Sequence, residues 1–218
     1  MRRTTIPPGV YSPQDDTRLL AEALLREDIS ADTAVLDVGT GSGALAVAAA
    51  RHGAAEVTAV DVSPLAVGTA WLHARLRGVR VRVLRGDLLA PVADRSFDLI
   101  LANPPYVPAP GRRARRGRAV AWNAGADGRA VLDRLSVDAP PLLRPGGVLL
   151  LVHSGLCGAE RTVEQLTRAG LRAAVTDRRL VPFGPVLRER APWLESRGLI
   201  APGEEKEELV VIRAERQV

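Results

Sequence analysis

The chain has 218 residues, 46% hydrophobic and 25% charged, which is enough apolar material for a buried core and excludes a disordered or fibrous class. The net charge is +5 and the basic side is almost all arginine, with Lys206 the single lysine; that balance is compatible with an acidic partner such as RNA, a ribosome or a protein, and equally with a solvated basic surface. Cys157 is the sole cysteine, so neither an internal disulfide nor a cysteine zinc cluster can form within one chain. Met1 to Pro13 lacks the apolar stretch of a secretory signal, and no apolar run approaches the roughly 20 residues of a membrane span, so a cytoplasmic location is expected.

The first element is an amphipathic helix over Asp15 to Arg26, where Leu19, Leu20, Ala23, Leu24 and Leu25 recur at helical spacing. Val35 to Val38 reads as a strand that ends in Gly39-Thr40-Gly41-Ser42-Gly43, followed by a helix over Ala44 to Ala50. A second strand, Val57 to Val60, ends at Asp61, and Ser63-Pro64 starts a helix reaching about Leu76. The spacing then predicts strands at Val81 to Leu84 and Phe97 to Ala102, a helix at Ala130 to Leu135, a strand at Val148 to Val152 and a helix at Glu160 to Ala169. Such alternation implies a parallel sheet with helices on both faces.

The tail differs, with strands expected at Arg172 to Leu180 and Glu208 to Arg213, separated by an insertion over 181–207. No repeat or second domain is visible, so residues 1–218 are expected to form a single domain, with 1–30 an N-terminal segment and helix. From Arg112 to Arg118 five of seven residues are arginine, and like charges at that density predict a mobile loop.

A glycine loop between strand and helix lets a backbone approach a ligand and turns helix N-terminal NH groups toward it. Gly39, Gly41 and Ala44 satisfy a relaxed dinucleotide pattern, with Asp61 at about the distance of a ribose-binding acid, so a nicotinamide cofactor must be considered. Three acids favour S-adenosylmethionine. Asp37, two residues before the loop, suits the cofactor's amino group; Asp61 suits the two ribose hydroxyls; Asp87 suits the adenine amino group, with a backbone NH nearby. The candidate cofactor set is therefore Asp37, Gly39, Thr40, Gly41, Gly43, Asp61, Val62, Asp87 and Leu88, with Asn103 bordering it.

Asn103-Pro104-Pro105-Tyr106 follows the fourth strand. This tetrapeptide resembles that of the amino-methyltransferases acting on adenine, cytosine or glutamine side chains. The Asn103 side-chain carbonyl and the Pro104 backbone carbonyl can accept two hydrogen bonds from one planar NH2, drawing its lone pair out of conjugation. Pro104 and Pro105 stiffen the loop. Tyr106 can pack on the substrate plane or face the sulfonium. No general base is obvious, since the nitrogen can lose its proton after transfer.

Two further segments narrow the resemblance: Gly9-Val10-Tyr11-Ser12-Pro13-Gln14-Asp15-Asp16-Thr17, and Ala121-Trp122-Asn123-Ala124-Gly125-Ala126-Asp127-Gly128-Arg129. Both look like the HemK-like protein glutamine methyltransferases, in the short form without a helical N-terminal domain. That resemblance covers about Gly9 to Val152. It implies a Rossmann-like, doubly wound, mostly parallel seven-stranded sheet with an antiparallel C-terminal strand. It also implies that Asp16 and Thr17 border the cofactor, that the Trp122 loop walls the substrate, that the acceptor is a protein such as a translation factor, and that a small zinc-binding activator subunit can take part.

The arginine run and the insertion bearing Phe183, Trp193 and Glu204 to Glu208 depart from the family pattern. RNA or DNA base methylation, with Arg112–Arg118 as a phosphate contact, and small-molecule N-methylation stay open as alternative functions.

Overall fold

The computed structural model describes residues 6–110 and 124–218. Seven strands form one sheet in the order β3-β2-β1-β4-β5-β7-β6: β1 Ala34–Val38, β2 Glu56–Asp61, β3 Arg82–Arg85, β4 Phe97–Ala102, β5 Leu143–Ser154, β6 Leu171–Pro182 and β7 Lys206–Arg216. Pairing is parallel from β3 through β5, whereas β7 runs antiparallel to both β5 and β6. The seven-stranded, mostly parallel sheet with its antiparallel C-terminal strand agrees with the sequence expectation.

Six helices are described: α1 Asp15–Leu24, α2 Ala44–Arg51, α3 Pro64–Leu76, α4 Leu132–Asp138, α5 Ala159–Arg168 and α6 Pro185–Ser196. β1 is buried along its whole length, as expected of a central strand covered on both faces. α3 starts where Ser63 Oγ accepts the Ala66 NH and Pro64 supplies a preset φ. Chain order runs outward from β1 to β3 on one side and from β4 to β5 on the other. The carboxyl ends of β1 and β4 therefore flank the switch point at which open α/β sheets take ligands.

Two elements differ from the sequence expectation. β5 begins at Leu143 rather than near Val148, because Phe97 pairs with Leu143 and Leu99 with Val148, and the intervening Arg144 to Gly147 is accommodated as an irregularity. Gly147 fits there because a Cβ would lie 2.8 Å from the Arg144 carbonyl. The second difference is the 181–207 insertion, which carries α6. Its apolar residues Val186, Leu187, Ala191, Trp193 and Leu194 are interleaved with Arg188, Glu189, Arg190 and Glu195, and Pro192 sits within it, so the helical pattern is weak in the sequence. α6 packs with Phe183 and Ile200 into a small second apolar cluster that also touches Val107 and Leu156. No described helix is long and apolar enough to cross a membrane. The arginine run Arg112–Arg118 and Trp122 lie outside the described residues.

Candidate active site

One cavity lies at the carboxyl ends of the central strands, lined by Tyr11, Asp16 and Thr17, by Gly39, Thr40 and Gly41, by Asp61 and Val62, by Asp87 and Leu88, and by Asn103 to Val107. Segments distant in sequence meet there because every parallel strand delivers its following loop to the same edge of the sheet.

Asp37 and Gly43 do not line the cavity. Asp37, 1% exposed, accepts from Thr40 Oγ1 at 2.6 Å and from the Ala46 NH at 3.0 Å through Oδ2, while its Oδ1 has no partner. Burial pushes this carboxyl up to about 6. Thr40 thereby commits its hydroxyl proton backward to Asp37 and keeps acceptor lone pairs at the cavity wall. Gly43 instead lets α2 meet α3, since a Cβ there would stand 2.9 Å from the Ala70 Cα.

Asp61 Oδ2 accepts the Gly41 NH at 2.9 Å and Oδ1 accepts the Ser63 NH at 2.8 Å. Those two bonds shape the glycine loop and leave the remaining lone pairs of a carboxylate for a ligand. Burial raises the Asp61 carboxyl, partly offset by these NH donors. Asp87 is exposed at the rim, held by a two-pronged contact from Arg134 with Nη2 at 2.9 Å and Nη1 at 3.2 Å. Leu88 beside it adopts a left-handed backbone at φ 49°, which is rare for a side chain of this size. Arg134 was not anticipated from sequence.

The centre of the hydrogen-bond network is Asp16, 3% exposed in the first turn of α1. Its Oδ2 accepts from Tyr11 Oη at 2.7 Å and Tyr106 Oη at 3.0 Å. Its Oδ1 accepts from the Thr17 NH at 2.5 Å and from Thr17 Oγ1 at 3.2 Å. Both tyrosines are pushed well above the ordinary phenol range by burial first and the Asp16 charge second, so they remain donors.

Thr17 has one hydroxyl proton, which goes to Asp16, so toward Asn103 it can only accept. The Asn103 Nδ2 accordingly donates to Thr17 Oγ1 at 3.2 Å. Among the described residues the Asn103 Oδ1 then has no hydrogen-bond donor, at a position lining the cavity. The far side of the tetrapeptide is fixed by Cys157, whose Sγ donates to the Tyr106 carbonyl at 3.0 Å. Gly128 presses on the same carbonyl, since a Cβ there would lie 2.3 Å from it. Arg129, 2% exposed, locks this loop through Asp133 at 2.8 Å, the Cys157 carbonyl at 2.5 Å and Gln165 at 2.6 Å.

Glu207 on β7 is 7% exposed, although it falls at the end of the charge-rich segment expected to be an insertion. Its Oε2 has no partner, and burial first, with the Asp16 charge adding, pushes it up to about 7 against a hydrogen bond from Ser154. One glutamate within the charged run Glu204 to Glu208 carries no sequence signal of burial.

Comparison with known proteins follows the geometry. Residues 3–178 match the methyltransferase small domain family. A Methanocaldococcus jannaschii protein named as an N5-glutamine methyltransferase is 35% identical over 177 residues, covering 81% of this chain and 88% of that one. The chain belongs to the HemK-like methyltransferase family. The release factor glutamine methyltransferase of Geobacter sulfurreducens is 38% identical over 76% of this chain, and the match spans 60% of that longer enzyme. The E. cuniculi Mtq2–Trm112 complex, described as methylating the eRF1 termination factor, shares the fold with a TM-score of 0.67 at 22% identity, covering 96% of this chain and 99% of that one.

As a HemK-like methyltransferase the chain uses S-adenosylmethionine, and the residues present suit that group. The cavity edge offers the acceptor chemistry that a diol and an ammonium need, through Asp61 and Thr40, and the unpartnered Asp37 Oδ1 leaves negative character behind the glycine loop.

Proposed function

We propose that this chain transfers the methyl group of S-adenosylmethionine to the side-chain amide nitrogen of a glutamine in a protein acceptor of the translation-factor kind. The observation that carries this reading is the orientation of Asn103, whose Nδ2 is consumed by Thr17 and whose Oδ1 is thereby offered to an incoming NH2. The names of the matched relatives support glutamine as the acceptor.

Residues Gly39, Thr40 and Gly41, Asp61 with Val62, and Asp87 with Leu88 would hold the cofactor, with Asp16 and Thr17 at its border and Asp37 and Gly43 shaping the loop from behind. When bound, the sulfonium supplies an electrophilic methyl carbon. The chain's own part is alignment. Asn103 Oδ1 and the Pro104 carbonyl accept the two protons of the glutamine NH2, turning its lone pair out of the amide plane and toward the methyl group. Pro104 and Pro105 keep the second acceptor in place before the substrate arrives. Tyr106, tied by its hydroxyl to Asp16, walls the cavity. Holding nucleophile and electrophile about 3–3.5 Å apart supplies most of the acceleration. The nitrogen loses a proton only after the new bond has formed, so no base must act beforehand.

A protein substrate, a small zinc-binding activator subunit and a cytoplasmic location complete the proposal, together with an electrostatic role for Arg112–Arg118 toward an acidic surface, nucleic acid included. The test is to incubate a cell extract with methyl-tritiated cofactor and this chain, alone and with a candidate activator. Labelling that protease removes and nuclease leaves, recovered as N5-methylglutamine after enzymatic digestion, is the expected result. Counts removed by nuclease would replace this reading with base methylation.

A further inference from the structure

Arg190 on α6 is half-buried, and its Nη1 donates to the Pro108 carbonyl at 2.8 Å. It has no carboxylate partner. Every aspartate and glutamate of the chain falls within the described residues, and none makes an ion pair with it. The segments 1–5 and 111–123 contain no acid, so they cannot supply the missing charge. Desolvation disfavours the guanidinium and the charge of Glu189 only partly offsets that. With Nη1 committed to the Pro108 carbonyl, the remaining guanidinium donors are free of any protein carboxylate and can take an incoming anion.

The position of Arg190 indicates where that anion comes from. Pro108 lies two residues beyond the catalytic tetrapeptide, and Val107 between them both lines the cavity and packs into the α6 cluster. Gly184, the residue before α6, lies against the Gln14 side chain, two residues ahead of Asp16. α6 and the residue ahead of it therefore lie beside both segments that frame Asn103. The glycine loop, Asp61 and Asp87 occupy the cofactor side, so the acceptor must approach along the tetrapeptide and its exit.

We infer that Arg190 is a specificity-determining residue that pairs with a carboxylate side chain of the acceptor polypeptide close to the methylated residue. This rests on the protein-acceptor reading above. The remaining guanidinium donors can take both oxygens of one carboxylate while Nη1 keeps Pro108 in place, a geometry that lysine cannot reproduce.

The experiment uses short peptides with a central glutamine and either aspartate or asparagine at each flanking position in turn. Wild-type protein should methylate the best aspartate peptide with a KM about tenfold below that of its asparagine counterpart, the gap expected for one charge-assisted contact. Arg190→Met and Arg190→Lys should erase that gap while leaving kcat and cofactor affinity within about twofold. A wild type without the preference, or an Arg190→Met variant that keeps it, overturns the inference. A variant that loses turnover equally on both peptides also overturns it, since Arg190 would then only brace Pro108. Fluorescence anisotropy of the same labelled peptides is run in parallel. If no glutamine peptide is methylated by any variant, the glutamine reading fails, and the difference in aspartate-peptide binding between wild type and Arg190→Met still decides the role of Arg190.

Discussion

Asn103 Nδ2 lies 3.2 Å from Thr17 Oγ1, whose own proton is given to Asp16. The Asn103 amide is thus oriented by a hydroxyl from a helix 86 residues away in sequence, and that hydroxyl by a buried acid. Thr17→Val removes the acceptor of Nδ2 seen among the described residues and frees the amide to rotate. Single-turnover methyl transfer should fall about tenfold, with cofactor affinity changed little and Thr17→Ser restoring the rate. A full-rate Thr17→Val variant would show that Asn103 needs no such guide.

Asp61 shapes the glycine loop through the Gly41 NH and stands at the cavity edge. Asp61→Ala removes ligand acceptors worth roughly 1.5–3 kcal/mol each when charged. Calorimetry should record a loss of cofactor affinity of at least about tenfold, with Asp61→Asn intermediate. Equal affinity in a folded Asp61→Ala protein would move the ribose elsewhere.

Gly128→Ala places a methyl group 2.3 Å from the Tyr106 carbonyl at a residue with φ 73°. Backbone strain and overpacking together should lower stability by about 2–4 kcal/mol and displace the tetrapeptide. Denaturant melts check the first effect. In the second, turnover should drop in the fraction that remains folded, measured below the new midpoint.

Most of the architecture was readable because its signals are local. The buried run Val35 to Val38 into glycines, Asp61 at a strand end and Ser63-Pro64 each declare an element without reference to anything distant. The candidate site was readable as a set of residues but not as a network. That Thr17 orients Asn103, or that Cys157 and Gly128 clamp the Tyr106 carbonyl, depends on which loops share the sheet edge. α6 escaped because Val186, Leu187, Ala191, Trp193 and Leu194 are interleaved with four charged residues and the segment contains Pro192. Glu207 escaped for the opposite reason, being a charged residue that tertiary packing buries. Arg190 acquires meaning only from the carboxylate it lacks.

The Glu207 carboxyl, pushed up from 4.5 to about 7, has a definite consequence for stability. Between those values the folded state binds more protons than the unfolded chain, so the stability linked to this group is full below about 4.5 and is lost as pH rises to about 7, then stays level. The change is on the order of 3 kcal/mol at most. Glu207→Gln keeps a neutral side chain at every pH and should flatten that part of the profile, making the variant the more stable protein at pH 8. Parallel wild-type and variant profiles from urea melts would show that Glu207 is not the group responsible.

The proposed mechanism requires Asn103 to act on the acceptor and not on the cofactor. Asn103→Ala would remove one of the two acceptors proposed for the reacting NH2, and loss of one preorganised hydrogen bond of this kind lowers rates about 10² to 10³-fold. The deciding measurement is single-turnover methyl transfer by Asn103→Ala to a glutamine peptide or to the acceptor that extract labelling reveals, with cofactor affinity determined on the same sample. The predicted result is a rate reduced by at least about a hundredfold with an S-adenosylmethionine dissociation constant within about twofold of wild type. Near-wild-type transfer, or a cofactor affinity that collapses together with the rate, would contradict it.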